Sequence, residues 1–235
     1  MRALHLVMAG WLGLVLAGTG LAQYGDISDL KILKPEDKVD VRTTPPPKDA
    51  IVLFDGKSLE GWKPDENPQT FKVQDGNIVV NGERAHLFYV GPVNNHDFKD
   101  FHFKAEVMTF PNSNSGIYFH SKPQGGGWPS QGFECQVNNT YKADPKKTGG
   151  LYAVKDVMNV APVGDNEWFT YDIIVKGNTV ELKINGKTTT EWTQPADWKH
   201  DEFAGRKLGH GTFALQGHDP GSKVMYRNIK VKPLD

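Results

Sequence analysis

The chain has 235 residues, with 27 basic and 28 acidic side chains and a formal net charge of −1. That balance lacks the basic footprint a nucleic-acid partner requires, and it leaves a neutral ligand such as a sugar open. A single cysteine, Cys135, excludes an internal disulfide, so the domain has to be held together by its core.

Residues 1–22 read MRALHLVMAGWLGLVLAGTGLA. One charge, Arg2, precedes an uncharged run ending in small residues, which is the pattern of a secretory signal peptide with cleavage expected after Ala22. The apolar stretch is diluted by glycine and threonine and falls short of the roughly 20 residues that cross a bilayer, so no membrane association is expected after cleavage. The expected location is exported, periplasmic or extracellular. Residues 23–50 are polar and contain Pro45-Pro46-Pro47, which favours extended polyproline geometry without a core. They read as a flexible linker with one short ordered turn around Leu30–Leu33. The folded domain is expected over residues 51–235.

From Ile51 onward the signal is β. Short runs rich in valine, isoleucine and aromatics are bounded by turn residues at 71–73, 77–80, 101–110, 116–121, 133–138, 151–154, 169–176, 179–184, 211–217 and 224–232. Asp75-Gly76 and Gly177-Asn178 supply the positive φ angles of tight hairpins. Only Pro195–Glu202 has a weakly helical look. This distribution predicts an all-β, two-sheet sandwich or jelly roll.

Strand parity then sorts side chains between faces. Ile117 and Phe119 belong to the core, which turns Tyr118 and His120 away from it. Phe133, Cys135 and Val137 are core, which turns Glu134, Gln136 and Asn138 outward. Phe213 and Leu215 are core, with Gln216 outward and His218 just beyond. Arg227 has the parity of Ile229 and Val231, so its place on this face requires a bulge near Asn228. A solvated face is the simpler account of outward polar residues. Two histidines, two glutamines and a tyrosine are nevertheless not the usual mixture, and the neighbouring loop carries Trp128, which suits stacking on a sugar ring. His86, His96, His102, His200 and His210 show no converging spacing and read as surface. Trp62, Trp168 and Trp192 read as structural packing.

Several segments in order carry a family resemblance: Leu53-Phe54-Asp55-Gly56, Asn114-Ser115-Gly116-Ile117-Tyr118-Phe119, Gly132-Phe133-Glu134-Cys135-Gln136, Thr148-Gly149-Gly150-Leu151-Tyr152, Leu215-Gln216-Gly217-His218 and Arg227-Asn228-Ile229. Together they resemble the 3-keto-disaccharide hydrolase family over residues 51–235. The resemblance implies a concanavalin-like jelly roll of two antiparallel sheets, an exported protein, and cleavage of glycosides already oxidised at C3. The chain departs from the family at His120, where arginine is common, and at Val137-Asn138-Asn139, where an aspartate is common.

A ketone at C3 acidifies the C2 proton, so a base, donors around the C3 oxygen and an acid at the leaving group suffice, without the carboxylate pair of an ordinary glycosidase. His120, Glu134 and His218 are the candidate catalytic groups. Tyr118, Trp128, Gln136, Asn138, Tyr152, Gln216 and Arg227 are the candidate substrate contacts. The expected ligand is an oligosaccharide or glycoside, and no cofactor is called for. A divalent metal held by His120, Glu134 and His218 is the alternative use of the same residues, although no close-spaced ligand motif is present. The rival reading is a non-catalytic carbohydrate-binding module on the same fold.

Overall fold

The computed structural model of the chain describes residues 44–234, so the expected signal peptide and residues 23–43 of the linker, turn included, lie outside the described residues. The strands are β1 (Ile51–Val52), β2 (Trp62–Pro64), β3 (Phe71–Gln74), β4 (Asn77–Val80), β5 (Ala85–Tyr89), β6 (Phe101–Thr109), β7 (Asn114–Ser121), β8 (Phe133–Asn138), β9 (Lys146–Leu151), β10 (Lys155–Met158), β11 (Phe169–Lys176), β12 (Thr179–Ile184), β13 (Lys187–Thr193), β14 (Thr212–Gly217) and β15 (Val224–Pro233). Pro195–Glu202 forms turns and irregular backbone rather than helix.

One sheet has eight strands in the order β13-β12-β11-β6-β15-β4-β3, with β1 added against β15. The other has seven, in the order β10-β9-β8-β7-β14-β5-β2. The predicted hairpins close β3 on β4 and β11 on β12, with two-residue turns at Asp75-Gly76 and Gly177-Asn178. Asp75, Gly76 and Gly177 all have the positive φ such turns demand.

The core lies between the sheets. Phe213 of β14 is its centre, with ring centroids 4.7 Å from Phe98, 4.8 Å from Phe101 and 4.7 Å from Phe103. Each such ring, fully buried, contributes about 1.5–3 kcal/mol. The three core tyrosines keep partners for their hydroxyls: Tyr226 pairs with Ser115 Oγ at 2.7 Å, Tyr171 donates to the Gln136 carbonyl at 3.3 Å, and Tyr89 accepts from the Val93 amide at 3.2 Å. Cys135 is a free, buried thiol in this layer. Because the core claims alternate residues of β5, β7, β8 and β14, the residues between them are set on the outer face of the seven-stranded sheet.

Candidate active site on the outer face of the seven-stranded sheet

Register assembles the site. Tyr118 of β7 lies opposite Glu134 of β8 and Ala214 of β14, and Ala214 lies opposite Phe88 of β5. In the adjoining row Gly116 faces Gln136, and Gln216 faces His86. Strands β7, β8 and β14 floor a cleft of about 250 Å³. Its floor carries Tyr118, Glu134, Gln136 and Gln216; its walls carry Asn114, Trp128, Asp144, Tyr152, Arg206 and His218.

Glu134 is the centre of the floor and only 5% exposed. Tyr118 Oη donates to its Oε2 at 2.8 Å and Gln216 Nε2 to its Oε1 at 2.9 Å. Arg206 Nη2 stands 3.8 Å from Oε2. Burial pushes the carboxyl above its usual range, and the Arg206 charge and the two hydrogen bonds offset only part of that. Gly116 makes the arrangement possible: a Cβ there would sit 2.5 Å from Glu134 Oε1.

His218 follows β14 in a turn built around Asp219. Its Nδ1 lies 2.7 Å from Asp219 Oδ2, which also accepts from Ser222 Oγ at 2.7 Å. Burial raises the Asp219 carboxyl, but the hydrogen bonds from His218, Ser222 and the Gly221 amide outweigh it and hold the group below its usual range. Asp219 therefore stays ionised and can only accept, which puts the His218 proton on Nδ1 and leaves Nε2 as the basic nitrogen.

Tyr152 lines the cleft and donates to Asp144 Oδ2 at 3.0 Å. Arg206 Nη1 donates to the Tyr152 carbonyl, and its guanidinium lies 5.2 Å from the Tyr152 ring and 4.0 Å from that of Phe203. Trp128, 47% exposed, sits between two imidazoles, with ring centroids 5.7 Å from His86 and 5.5 Å from His218.

Three residues expected on this face are elsewhere. His120 has φ 53°, a bulge that breaks the strand alternation and coincides with the register shift between Thr212 and Ala214. Its ring turns against Phe101 and Phe119, at 5.8 and 5.1 Å, and its Nε2 reaches the Lys99 carbonyl at 2.8 Å. Asn138 is fully buried, with its amide donating to the Asp144 and Lys146 carbonyls at 3.1 and 2.9 Å, so it pins the 139–145 loop instead of facing the cleft. Arg227 does precede a bulge, with Asn228 at φ 51°, but on the eight-stranded sheet. There it donates to Glu106 Oε2 at 2.6 Å and lies 3.9 Å over the Trp168 ring. With His120 gone from the face, the three-ligand metal set is not assembled, and among the described residues no group of three or more histidine, cysteine, aspartate or glutamate side chains is placed to hold a metal.

The cleft also holds residues that parity did not find. Arg206 lies on an aperiodic connection and gives no sequence signal beyond its charge. Asn114 falls in a quoted motif, two residues before the strand was expected to start. His86 is not surface: its side chain is fully buried against Asp65, on a strand missed because both faces of β5 are covered. Among the described residues, the buried side-chain polar atoms without a hydrogen-bond partner are His86 Nε2, Asn114 Oδ1 and Gln216 Oε1. All three are at this cleft or its edge. Leaving such an atom unpaired costs about 1–3 kcal/mol, so they mark a place where a ligand or water supplies the partner.

A two-sheet antiparallel sandwich with this cleft on one sheet face defines a jelly-roll domain with a polar ligand site. The chain belongs to the family of 3-keto-alpha-glucoside-1,2-lyase-like domains, whose model matches residues 49–232. It is similar to a solved Parabacteroides distasonis protein with a provisional glycosyl hydrolase assignment. That pair has 25% identity and a TM-score of 0.67, covering 79% of this chain and 94% of the other. A second such protein from the same organism shows 28% identity and a TM-score of 0.53, covering 80% and 84% of the two chains. A family GH16 endo-beta-1,3(4)-glucanase shares the fold alone, at 12% identity and a TM-score of 0.50 over 80% of this chain and 96% of that one. No curated protein shows significant similarity to the chain.

Proposed function

We propose that the protein is an exported enzyme that cleaves 3-keto-glycosides by elimination. His218 Nε2 takes the proton from C2. The electron pair of that C–H bond forms the C2–C3 enolate, with charge on the C3 oxygen. The enolate then restores the ketone, forms the C1–C2 double bond and breaks the C1–O bond, and Glu134 in its protonated form delivers a proton to the departing oxygen. Addition of water across C1–C2 completes net hydrolysis. Arg206 and the Gln136 amide are the donors available to the enolate oxygen, the Gln216 amide being committed to Glu134 and Tyr118.

The observation that carries this reading is that a buried carboxyl and an imidazole anchored through Nδ1 line one cleft. Glu134 is buried and pushed toward its protonated form, as an acid requires. His218 is held by Asp219 with Nε2 left basic, as a base requires. The unpaired acceptors Asn114 Oδ1 and Gln216 Oε1 supply the complement of sugar hydroxyls.

The test is a turnover assay on purified protein with α- and β-linked 3-keto-glucosides and their unoxidised parents. We expect cleavage of the keto forms alone. His218→Ala and Glu134→Gln should each lower kcat by roughly 10²–10⁴-fold with the fold intact by circular dichroism. A folded protein that binds these sugars and cleaves none of them is the binding module, and this reading is then wrong.

A further inference from the structure

His86 has a chemistry that the proposed reaction does not use. Its Nδ1 lies 3.4 Å from Asp65 Oδ2, and its backbone amide donates to Asp65 Oδ1 at 2.6 Å. Both side chains are at zero exposure. A carboxylate accepts and does not donate, so the pair fixes the proton on Nδ1 and leaves Nε2 as a lone-pair acceptor. That acceptor has no partner. The ring is edge-on to Tyr118 at 5.4 Å and to Trp128 at 5.7 Å, and His86 is register partner to Gln216, whose Oε1 is also unpaired.

Trp128, which lines the cleft, packs edge-on against the His86 ring. It closes a loop containing Gly125-Gly126-Gly127, in which Gly126 and Gly127 take φ values of 117° and 80°. The loop is tied down by few contacts: the Gly127 amide donates to Glu66 Oε1 at 3.1 Å, Gln124 holds the Gly126 and Trp128 carbonyls at 2.8 and 3.0 Å, and Arg84 lies 5.5 Å from the indole. Beyond the loop a second cleft runs along Lys63, Asp65, Phe88 and Gln124. Asp65 thus lines the second cleft, while its partner His86 packs against Trp128, a wall of the first.

We infer that the Asp65–His86 pair is a hydroxyl-recognition subsite for the sugar, covered by Trp128 in this conformation and opened when the glycine loop moves. This rests on the sugar reading of the cleft and extends it. The ligand hydroxyl donates to His86 Nε2, a neighbouring hydroxyl donates to Gln216 Oε1, and the displaced indole becomes a wall for the sugar ring. The substrate class this selects is a glycoside with adjacent free hydroxyls on the ring that reaches past Trp128.

Two measurements on the full-length mature protein test it. The first is reaction with diethyl pyrocarbonate, read at His86 by peptide mass spectrometry. We expect His86 to react despite its burial, to react faster in Trp128→Ala, and to be protected by a bound 3-keto-glucoside. No reaction in either protein, or reaction only once Trp128 is removed, shows that the ring does not open and overturns the inference. Reaction without protection by any sugar removes the sugar assignment.

The second is calorimetric binding of a 3-keto-glucoside and its monodeoxy analogues, which needs no turnover. His86→Phe should weaken the parent roughly 10-fold, the loss of one hydrogen bond. It should leave unchanged the affinity for the one analogue that lacks the recognised hydroxyl. His86→Gln, which keeps an acceptor and answers any folding defect of the phenylalanine variant, should lose less. Equal weakening of every analogue in both variants makes His86 purely structural. Binding without cleavage sinks the elimination mechanism and leaves this subsite standing.

Discussion

Glu134 keeps its place because the residue beside it has no side chain. A Cβ on Gly116 would lie 2.5 Å from Glu134 Oε1 and 2.9 Å from its Cγ, distances that real atoms do not occupy. The carboxyl would have to swing off its Tyr118 and Gln216 donors. Gly116→Ala should therefore lower kcat/KM by about 10²-fold, the effect of misplacing a reacting group by about an ångström. Its thermal midpoint should change far less than its activity, which parallel kinetics and thermal melts will show. Glu134, Gln136 and Gln216 were legible in the sequence because their strands are regular and every second residue is plainly apolar. His120 was not, since one left-handed residue ends the alternation, and histidine carries no mark of where a bulge will fall. Asn138 obeyed parity, but its amide is spent on backbone carbonyls.

At the scale of elements, the connection between β13 and β14 does what no strand does. It has no helical period and folds as turns, fixed by side chains: Trp198 Nε1 donates to the Arg206 carbonyl at 2.7 Å, and His200 Nε2 meets the Ala153 carbonyl at 2.8 Å. Its purpose in the cleft is Arg206, 7% exposed, which reaches both the Tyr152 carbonyl and Glu134. Arg206→Ala leaves Glu134 buried without its cation. The expected cost is about 3 kcal/mol at a pH where Glu134 is ionised, in the range for breaking a buried pair. The cost should shrink on acidification, because removing the cation raises the Glu134 carboxyl further and a neutral carboxyl needs no partner. Urea unfolding of both proteins at two pH values reads this directly. Arg206→Lys should retain part of the stability but not the two-direction fork. A sequence pattern finds elements by their period, so an aperiodic segment held by its own tertiary contacts escapes it. The same reason hid β5, short and covered on both faces, and with it His86.

For the whole molecule, two buried groups oppose each other across the acid range. Burial pushes the His120 imidazole from 6.5 down to about 4. Between those values the unfolded chain binds a proton that the folded chain refuses, so this group's contribution is complete above 6.5 and is lost as pH falls. Burial pushes the Asp156 carboxyl the other way, from 3.8 up to about 6. There the folded chain keeps a proton that the unfolded chain releases, so stability is lost as pH rises through that window. At ~1.4 kcal/mol per pH unit each effect is worth up to ~3 kcal/mol, and the two have opposite sign. His120 lies one residue from the end of β7 while Asp156 lies on the edge strand β10, so their effects should add. Measured by denaturant midpoint at pH 4 and pH 7, His120→Asn should gain acid stability relative to the parent, and asparagine tolerates the positive φ there. Asp156→Asn should gain at pH 7 by a similar amount and change little at pH 4, so its acid stability falls relative to its neutral stability. The double variant should return to the parent's pH dependence, because what the fold balances is the difference between two proton affinities set by burial at two separate strands. A double variant that instead follows either single one shows that the two groups are coupled or that one of them does not titrate in this range.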